Sequence, residues 1–397
     1  MNTSITSPQT QRRVLPEPLL LESGFVLPNV EVAFRTWGRL APCADNAIVI
    51  CHALTGSADA DTWWEPLFGS GRLFDPHQDF IICSNILGGC YGSTGPTTAA
   101  PDGRRWGKRF PLVSIRDQVR AQMALADLLG IRRIRLVIGG SMGGMHALEW
   151  ALLDPDRVEA VASIASSGRH SIWGMAWTEA QRQALMADSR YLDGDYPQER
   201  PPEAGFAAAR AIAMITYRSP ASLEYRLRSP PDRRNGLLHG DHPETGIKQW
   251  LRHHGTSLVN RFDAHAYRIL LDAMDTHDMA RNRGPYEQVL RSIHQPVLIG
   301  SVTSDRLFLP NEQRELARLI PHAELQEVPS MHGHDGFLID ADKFHPDLML
   351  FKQRLNNARS SGHAVSFPRS GKYGNCNPSQ LKQHGQLPSS SQAVGNF

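Results

Sequence analysis

Residues 137–146, VIGGSMGGMH, decide how this chain folds. A Gly-x-Ser-x-Gly core, Gly139-Gly140-Ser141-Met142-Gly143, directly follows the apolar, strand-like run 134–138 and directly precedes a helical run, 145–153. Strand, sharp turn, helix is the context in which a serine is held out at the top of a sheet as a nucleophile. The turn is so tight that positions two before and two after the serine leave no room for a side chain, hence glycine at 139 and 143. The N–H of Met142 opens the helix, whose positive end faces negative charge developing on an atom the serine attacks. The plain alternative is a glycine-rich strand–helix connection with no chemistry; the flanking elements favour a nucleophile.

A serine so placed needs a base, and the base needs a group to orient it, in the chain order serine, acid, histidine. The short apolar run PVLIG (296–300) leads into SVTSD (301–305), which puts Asp305 just past the end of a strand. The competing reading makes Asp305 the cap of the turn that follows. The next strand candidate, ELQEV (324–328), runs into PSMHGHDG (329–336), a loop with two histidines, His332 and His334. Either could take the proton from Ser141 while Asp305 holds its tautomer; spacing does not choose between them. An early strand, NAIVIC (46–51), ends in His52-Ala53-Leu54-Thr55-Gly56, placed to supply a second N–H to the same developing charge.

The rest of the chain sets limits. Its 397 residues can hold one large core plus an insertion. Hydrophobic content of 41% and charged content of 21% are those of an ordinary globular protein. A net charge of +2, from 42 basic and 40 acidic residues, leaves no footprint for nucleic acid or an anionic membrane. The N-terminus lacks an apolar signal core and no apolar run is long enough to span a bilayer, so a cytoplasmic protein is expected. Five cysteines without metal-ligand spacing read as reduced thiols, two of them small core residues on strands; no metal site is expected. No Walker-type or dinucleotide-binding glycine pattern occurs.

Residues 1–14 read as a loose polar leader. Strands are expected near 19–26, 29–36, 46–51 and 79–84. A helix starts at Ser114 with Asp117 in a capping-box position, continues through Val119, Met123, Leu128 and Leu129, and stops at Gly130. After the serine turn another strand lies within 158–164. This is βαβ patterning, hence a mostly parallel sheet with helices on both faces. The α/β core would occupy 15–168 and 286–358. The strand candidates on either side of the gap are separated by about 130 residues, several times what a crossover helix needs. Residues 169–285 are therefore assigned to an inserted helical lid, with helices at 177–186 and 205–215. The tail, 359–397, is Ser-, Gly-, Pro- and Gln-rich, cannot repay its ordering entropy, and is expected to be disordered.

Seven segments together resemble the homoserine O-acetyltransferase family: HALTG (52–56), SNILGGCYGSTGP (84–96), GSMGGM (140–145), ITY (215–217), RFDA (261–264), SDRLF (304–308) and GHDGFL (333–338). The resemblance runs from about residue 15 to about 355. It implies the α/β-hydrolase fold, a homodimer, and acyl transfer from acetyl-CoA as co-substrate to the hydroxyl of homoserine in methionine biosynthesis, with no permanently bound cofactor. It selects His334 as the base and implies an oxyanion hole from the N–H groups of Leu54 and Met142. It also implies that Arg210 and Asp335 contact the amino-acid substrate; the residues themselves do not separate Arg210 from Arg218, Arg226 or Arg228. The chain departs from the family pattern at His146, where many relatives have Gln, and at Leu309, where many have Pro. A serine acceptor or a succinyl donor is the near alternative, and an esterase or thioesterase with water as acceptor the remote one.

Overall fold

The computed structural model describes residues 6–228 and 243–360. Strands β1 (Gln11–Val14), β2 (Leu19–Leu20), β3 (Val26–Leu27) and β4 (Glu31–Trp37) open the chain. Then come β5 (Ala47–Cys51), the short helix α1 (Ala60–Trp63), β6 (Phe80–Ser84), α2 (Ile115–Leu128), β7 (Ile134–Gly140), α3 (Met142–Leu153) and β8 (Val161–Ile164). The expected insertion contributes α4 (Ile172–Met186), α5 (Glu203–Tyr217), α6 (Pro220–Arg228), α7 (Pro243–Val259) and α8 (Ala264–Asp275). The chain returns to the core through α9 (Tyr286–Arg291), β9 (Val297–Val302), α10 (Pro310–Leu319), β10 (Ala323–Val328), α11 (Gly336–Ile339) and α12 (Ala341–Ser360).

Eight strands form one sheet in the order β1-β4-β6-β5-β7-β8-β9-β10. β1 and β4 pair antiparallel, as do β4 and β6; every pairing from β6 to β10 is parallel. The central strands are covered on both sides, which is why β5 reads AIVIC with all five residues buried. Successive side chains leave a strand on opposite faces. Ala47, Val49 and Cys51 join a core with α2, α3 and α10, while Ile48 and Ile50 join a second core with Trp64 and with Phe344, Leu348 and Phe351 of α12. The expected α/β arrangement, mostly parallel with helices on both faces, is what the chain adopts.

Local signals act as expected around α2. Ser114 Oγ accepts from the Asp117 N–H at 3.2 Å and the Asp117 carboxylate accepts from the Ser114 N–H at 3.0 Å, a closed capping box. Gly130, at φ +72°, ends the helix. Three expectations need correction. The polar leader is shorter than 1–14, because Gln11–Val14 pairs with Glu31–Phe34 and satisfies the edge of β4. The core's helical end runs past 358: α12 reaches Ser360, and Arg359 is ion-paired with Asp45 and Glu159. Cys51, Cys83 and Cys90 are free thiols, the first two buried on strands, but Cys43 is disulfide-bonded. The remainder of the expected disordered tail lies outside the described residues.

Four helices of the insertion, α4, α5, α7 and α8, build a third apolar core over the C-terminal ends of the strands. Leu185, Phe206, Tyr267, Leu270, Leu271 and Met274 pack with Met142 and Met145 of α3, with Leu54, and with Leu307 and Phe308 after β9. The insertion is thereby seated on the serine turn itself.

Candidate active site

β7 delivers Ser141 to the turn with φ 59° and ψ −127°, a strained conformation for a residue with a Cβ. The strain is overdetermined by neighbours: the Ser141 N–H donates to the Ile164 carbonyl at 2.9 Å and the Gly144 N–H to the Ser141 carbonyl at 2.9 Å. A Cβ on Gly139 would stand 2.2 Å from the Gly143 carbonyl oxygen, and one on Gly143 would stand 2.0 Å from the Cys51 carbonyl oxygen. Both obstacles are backbone and cannot rotate away. Glycine is required at both places.

His334 Nε2 lies 2.8 Å from Ser141 Oγ, and His334 Nδ1 lies 2.7 Å from Asp305 Oδ2. All three side chains are buried. The other carboxylate oxygen, Asp305 Oδ1, accepts from the N–H groups of Leu307 at 2.8 Å and Phe308 at 3.0 Å. Asp305 therefore caps its own turn and orients the histidine, so both sequence readings of it hold. Burial pulls the His334 imidazole down, but the charge and hydrogen bond of Asp305, with the charge of Asp335, outweigh it and the net shift is upward. The rings of Phe308, Phe337 and Tyr217 surround His334, their centroids 5.3, 5.4 and 5.7 Å away. His332, the other candidate, faces away and meets Ser222 Oγ at 3.1 Å through Nδ1.

The loop after β5 is held from three directions. His52 Nδ1 bonds the Ala53 carbonyl at 2.8 Å and its Nε2 accepts from the Ile86 N–H at 3.3 Å. Burial pushes this ring down to about 4, which matches a neutral ring that donates at one nitrogen and accepts at the other. The Gly56 N–H closes the turn on the Ala53 carbonyl at 2.8 Å, leaving Leu54 at its tip. From the insertion, Arg261 Nη1 donates to the Thr55 carbonyl at 2.8 Å and to the Tyr91 hydroxyl at 2.6 Å. Met142 is the first residue of α3, so its N–H points out of the helix end beside Ser141.

Arg210 and Asp335 both reach this site, from α5 and from the residue after the histidine. Arg210 lies over the Tyr217 ring at 5.2 Å, and its Nη1 is buried without a hydrogen-bond partner among the described residues. Asp335 is already engaged: Arg218 Nε lies 3.0 Å from its Oδ2. The two arginines differ in ion pairing: Arg218 stands against a protein carboxylate, whereas no carboxylate pairs with Arg210 among the described residues. Arg218 itself was missed. The signal was its position at the end of α5, immediately after Tyr217 of a quoted motif and before the helix-breaking Ser219-Pro220.

The two departures from the family pattern stay clear of the reacting atoms. His146 is buried between the Met142 carbonyl and Gln118, at 2.8 and 2.7 Å. Leu309 keeps an N–H that proline would lack and donates it to Glu312 at 2.9 Å, capping α10. Among the described residues no three His, Cys, Asp or Glu side chains are grouped as a metal site, and no helix is long and apolar enough to cross a membrane.

The arrangement can pass a proton from a serine hydroxyl to an oriented imidazole at the N-terminal end of a helix, which is acyl-transfer chemistry. Comparison with known proteins agrees. The family described as alpha/beta hydrolase fold matches residues 46–341. A homoserine O-acetyltransferase of Nostoc punctiforme is 53% identical over 84% of this chain and 93% of its own length. Among solved structures, a homoserine O-acetyltransferase from Bacillus anthracis has TM-score 0.78 at 24% identity, covering 86% of this chain and 97% of its own. Esterase E22 has TM-score 0.76 at 26% identity, covering 86% of this chain and all of its own. Esterases and acetyltransferases share this fold equally well, so shape alone does not separate water from an amino-acid acceptor.

Proposed function

The chain belongs to the homoserine O-acetyltransferase family of the α/β-hydrolase fold, and from that premise we propose that it transfers the acetyl group of acetyl-CoA to the hydroxyl of L-homoserine through an acyl-serine. The observation that carries the reading is the closed Ser141–His334–Asp305 relay, in a chain 53% identical over 84% of its length to a homoserine O-acetyltransferase. Ser141 Oγ attacks the thioester carbonyl while His334 Nε2 takes its proton. The oxyanion is met by the N–H groups of Leu54 and Met142. Collapse breaks the carbon–sulfur bond, and His334 returns the proton to the leaving sulfur, releasing coenzyme A.

The homoserine hydroxyl then gives its proton to His334 and attacks the acyl-serine; collapse restores the Ser141 hydroxyl and releases O-acetylhomoserine. Arg210 meets the α-carboxylate with its unpartnered donor, and Asp335 meets the α-ammonium. The helices over the site keep water from competing for the acyl group. Family membership also supports a cytoplasmic homodimer; Ile172, Ile215 and Tyr225, exposed on α4, α5 and α6, are apolar surface for such a contact.

Free thiol release tests the reading, with acetyl-CoA or succinyl-CoA offered together with homoserine, serine or water. Turnover is expected only with acetyl-CoA and homoserine, and acetyl-CoA alone is expected to give a burst of one thiol per site with acylated Ser141 on intact-mass analysis. Turnover as fast without an amino acid would make the protein a hydrolase. Absence of acyl-serine would replace the two-step route with direct transfer.

A further inference from the structure

We propose that Arg218 is a positioning residue for the acceptor: from the end of α5 it pairs with the Asp335 carboxylate and keeps it turned to receive the ammonium of an amino-acid substrate. The proposal rests on the reading of Asp335 as the ammonium receptor and assigns a role to a residue outside that reading. Arg218 is the residue that closes α5, with extended backbone at φ −110° and ψ 149°. Its Nε lies 3.0 Å from Asp335 Oδ2, with 14% and 17% of the two side chains exposed, too little water to screen the pair as a surface contact.

The backbone around the pair is locked. A Cβ on Gly333 would stand 2.6 Å from the Ser219 nitrogen and 2.7 Å from the Arg218 carbonyl carbon. Ser219 Oγ donates to the Met331 carbonyl, and the Gly333 N–H donates to Ser304 Oγ at 2.9 Å. The end of α5 and the histidine loop therefore keep one relative placement. Arg218 can set the direction of the Asp335 carboxylate against His334 beside it.

Electrostatics gives the pair its task. Burial raises the Asp335 carboxyl and the Asp305 charge raises it further, while Arg218, His334 and Arg210 lower it; the net shift is upward. Of the opposing charges Arg218 is the largest, so its loss moves the carboxyl higher still. A protonated carboxyl offers an ammonium no countercharge. The remaining groups facing the pair are Arg226 of α6, which repels Arg218, and His254 of α7, which burial pushes down to about 4 and which is therefore neutral near pH 7. Arg210 and Arg218 thus both face the Asp335 carboxylate, and a zwitterion enters without changing the net charge. Arg210 gains the substrate carboxylate, and Asp335 shares its charge between Arg218 and the substrate ammonium.

The test uses the whole enzyme with Arg218→Gln, Arg218→Lys and Asp335→Asn. The readouts are the acetyl-CoA thiol burst and acceptor kcat/KM for homoserine and for 4-hydroxybutanoate, which keeps the hydroxyl and carboxylate but has no amine, over roughly pH 6 to 9. Arg218→Gln is expected to keep the burst amplitude. Its preference for homoserine over 4-hydroxybutanoate should fall about tenfold or more at the acid end and recover as pH rises and Asp335 ionises. Arg218→Lys should keep the preference at all pH. A preference in Arg218→Gln that matches the parent at every pH overturns the proposal. So does a folded Arg218→Gln protein that loses burst and transfer together with no pH dependence, the signature of a structural residue. If Arg218→Gln does not fold, Arg218→Lys decides: loss of preference as deep as in Asp335→Asn refutes positioning by charge. An Asp335→Asn enzyme with undiminished preference for homoserine removes the receptor reading itself, a separate failure.

Discussion

Arg210 and Arg218 show how little a residue's identity says about its use. Both are arginines on or at the end of one helix; one is ion-paired with Asp335, the other has no carboxylate partner among the described residues. Removing one partner of a buried charge-assisted pair costs about 2–5 kcal/mol. Arg210→Ala is therefore expected to keep the acyl-CoA burst while acceptor kcat/KM drops roughly 30-fold or more; lysine should rescue poorly for want of a planar fork. Burst amplitude and acceptor kcat/KM on the same preparation decide this, and an unchanged acceptor kcat/KM refutes it. His334 carries a second prediction. Only the neutral ring accepts the serine proton, and Asp305 holds the ring's pKa up against burial. Acylation must therefore fall as pH drops through that raised value. Asp305→Asn should move this limb to lower pH and cut the acylation rate by on the order of 10⁴-fold. Rapid-mixing thiol release against pH measures both, and a limb that stays in place would sink the proposed role of Asp305.

At the scale of elements, the site is a set of chain ends that meet. The end of β7, the start of α3, the loops after β5 and β9, the loop after β10 and the end of α5 each contribute one or two groups. The tie between the insertion and the β5 loop is Arg261, through the Thr55 carbonyl and the Tyr91 hydroxyl. On the proposed use of the Leu54 N–H, loosening this loop weakens the oxyanion site in both half-reactions. Loss of a whole oxyanion donor costs about 10²–10³ in kcat, which sets the ceiling. Arg261→Ala is expected to slow burst and acceptor transfer together by about tenfold or more. A burst rate equal to the parent's would show that the loop holds its place without the arginine.

Across the whole molecule, one buried ionic network fastens the insertion's exit to the serine helix. Glu149 of α3 pairs with Arg116 of α2 at 3.2 Å and Arg283 at 2.7 Å. Arg116 also reaches Glu22, in the turn between β2 and β3, at 3.0 Å, and Arg281 meets the same Glu22. Glu149 is fully buried, so Glu149→Ala takes the carboxylate from Arg283 and leaves Arg116 with Glu22 alone. The expected loss is about 3–5 kcal/mol of stability, with a smaller loss for Glu149→Gln. Urea unfolding midpoints measure it, and an alanine variant as stable as the parent would show that Glu22 and the backbone carbonyls around Arg116 suffice.

What lay open in the sequence alone was everything encoded within a few residues. The glycines at 139 and 143 report a backbone approach of about the turn's own width, the Ser114–Asp117 box reports a helix start, and the all-apolar β5 reports a strand covered twice. Such signals are local because sterics and capping act over one or two turns of chain. The order serine, acid, histidine then limited which strand ends could supply the partners. Tertiary structure decided the rest. It turned His334 toward Ser141 and His332 toward Ser222, gave Asp335 to Arg218, drew Gln11–Val14 onto β4, and carried Arg261 to the loop at Thr55. Each of these joins groups far apart in the chain or chooses between equivalent neighbours. No spacing records them, because the choice is made by which side chain finds a buried partner once the strands and helices are packed.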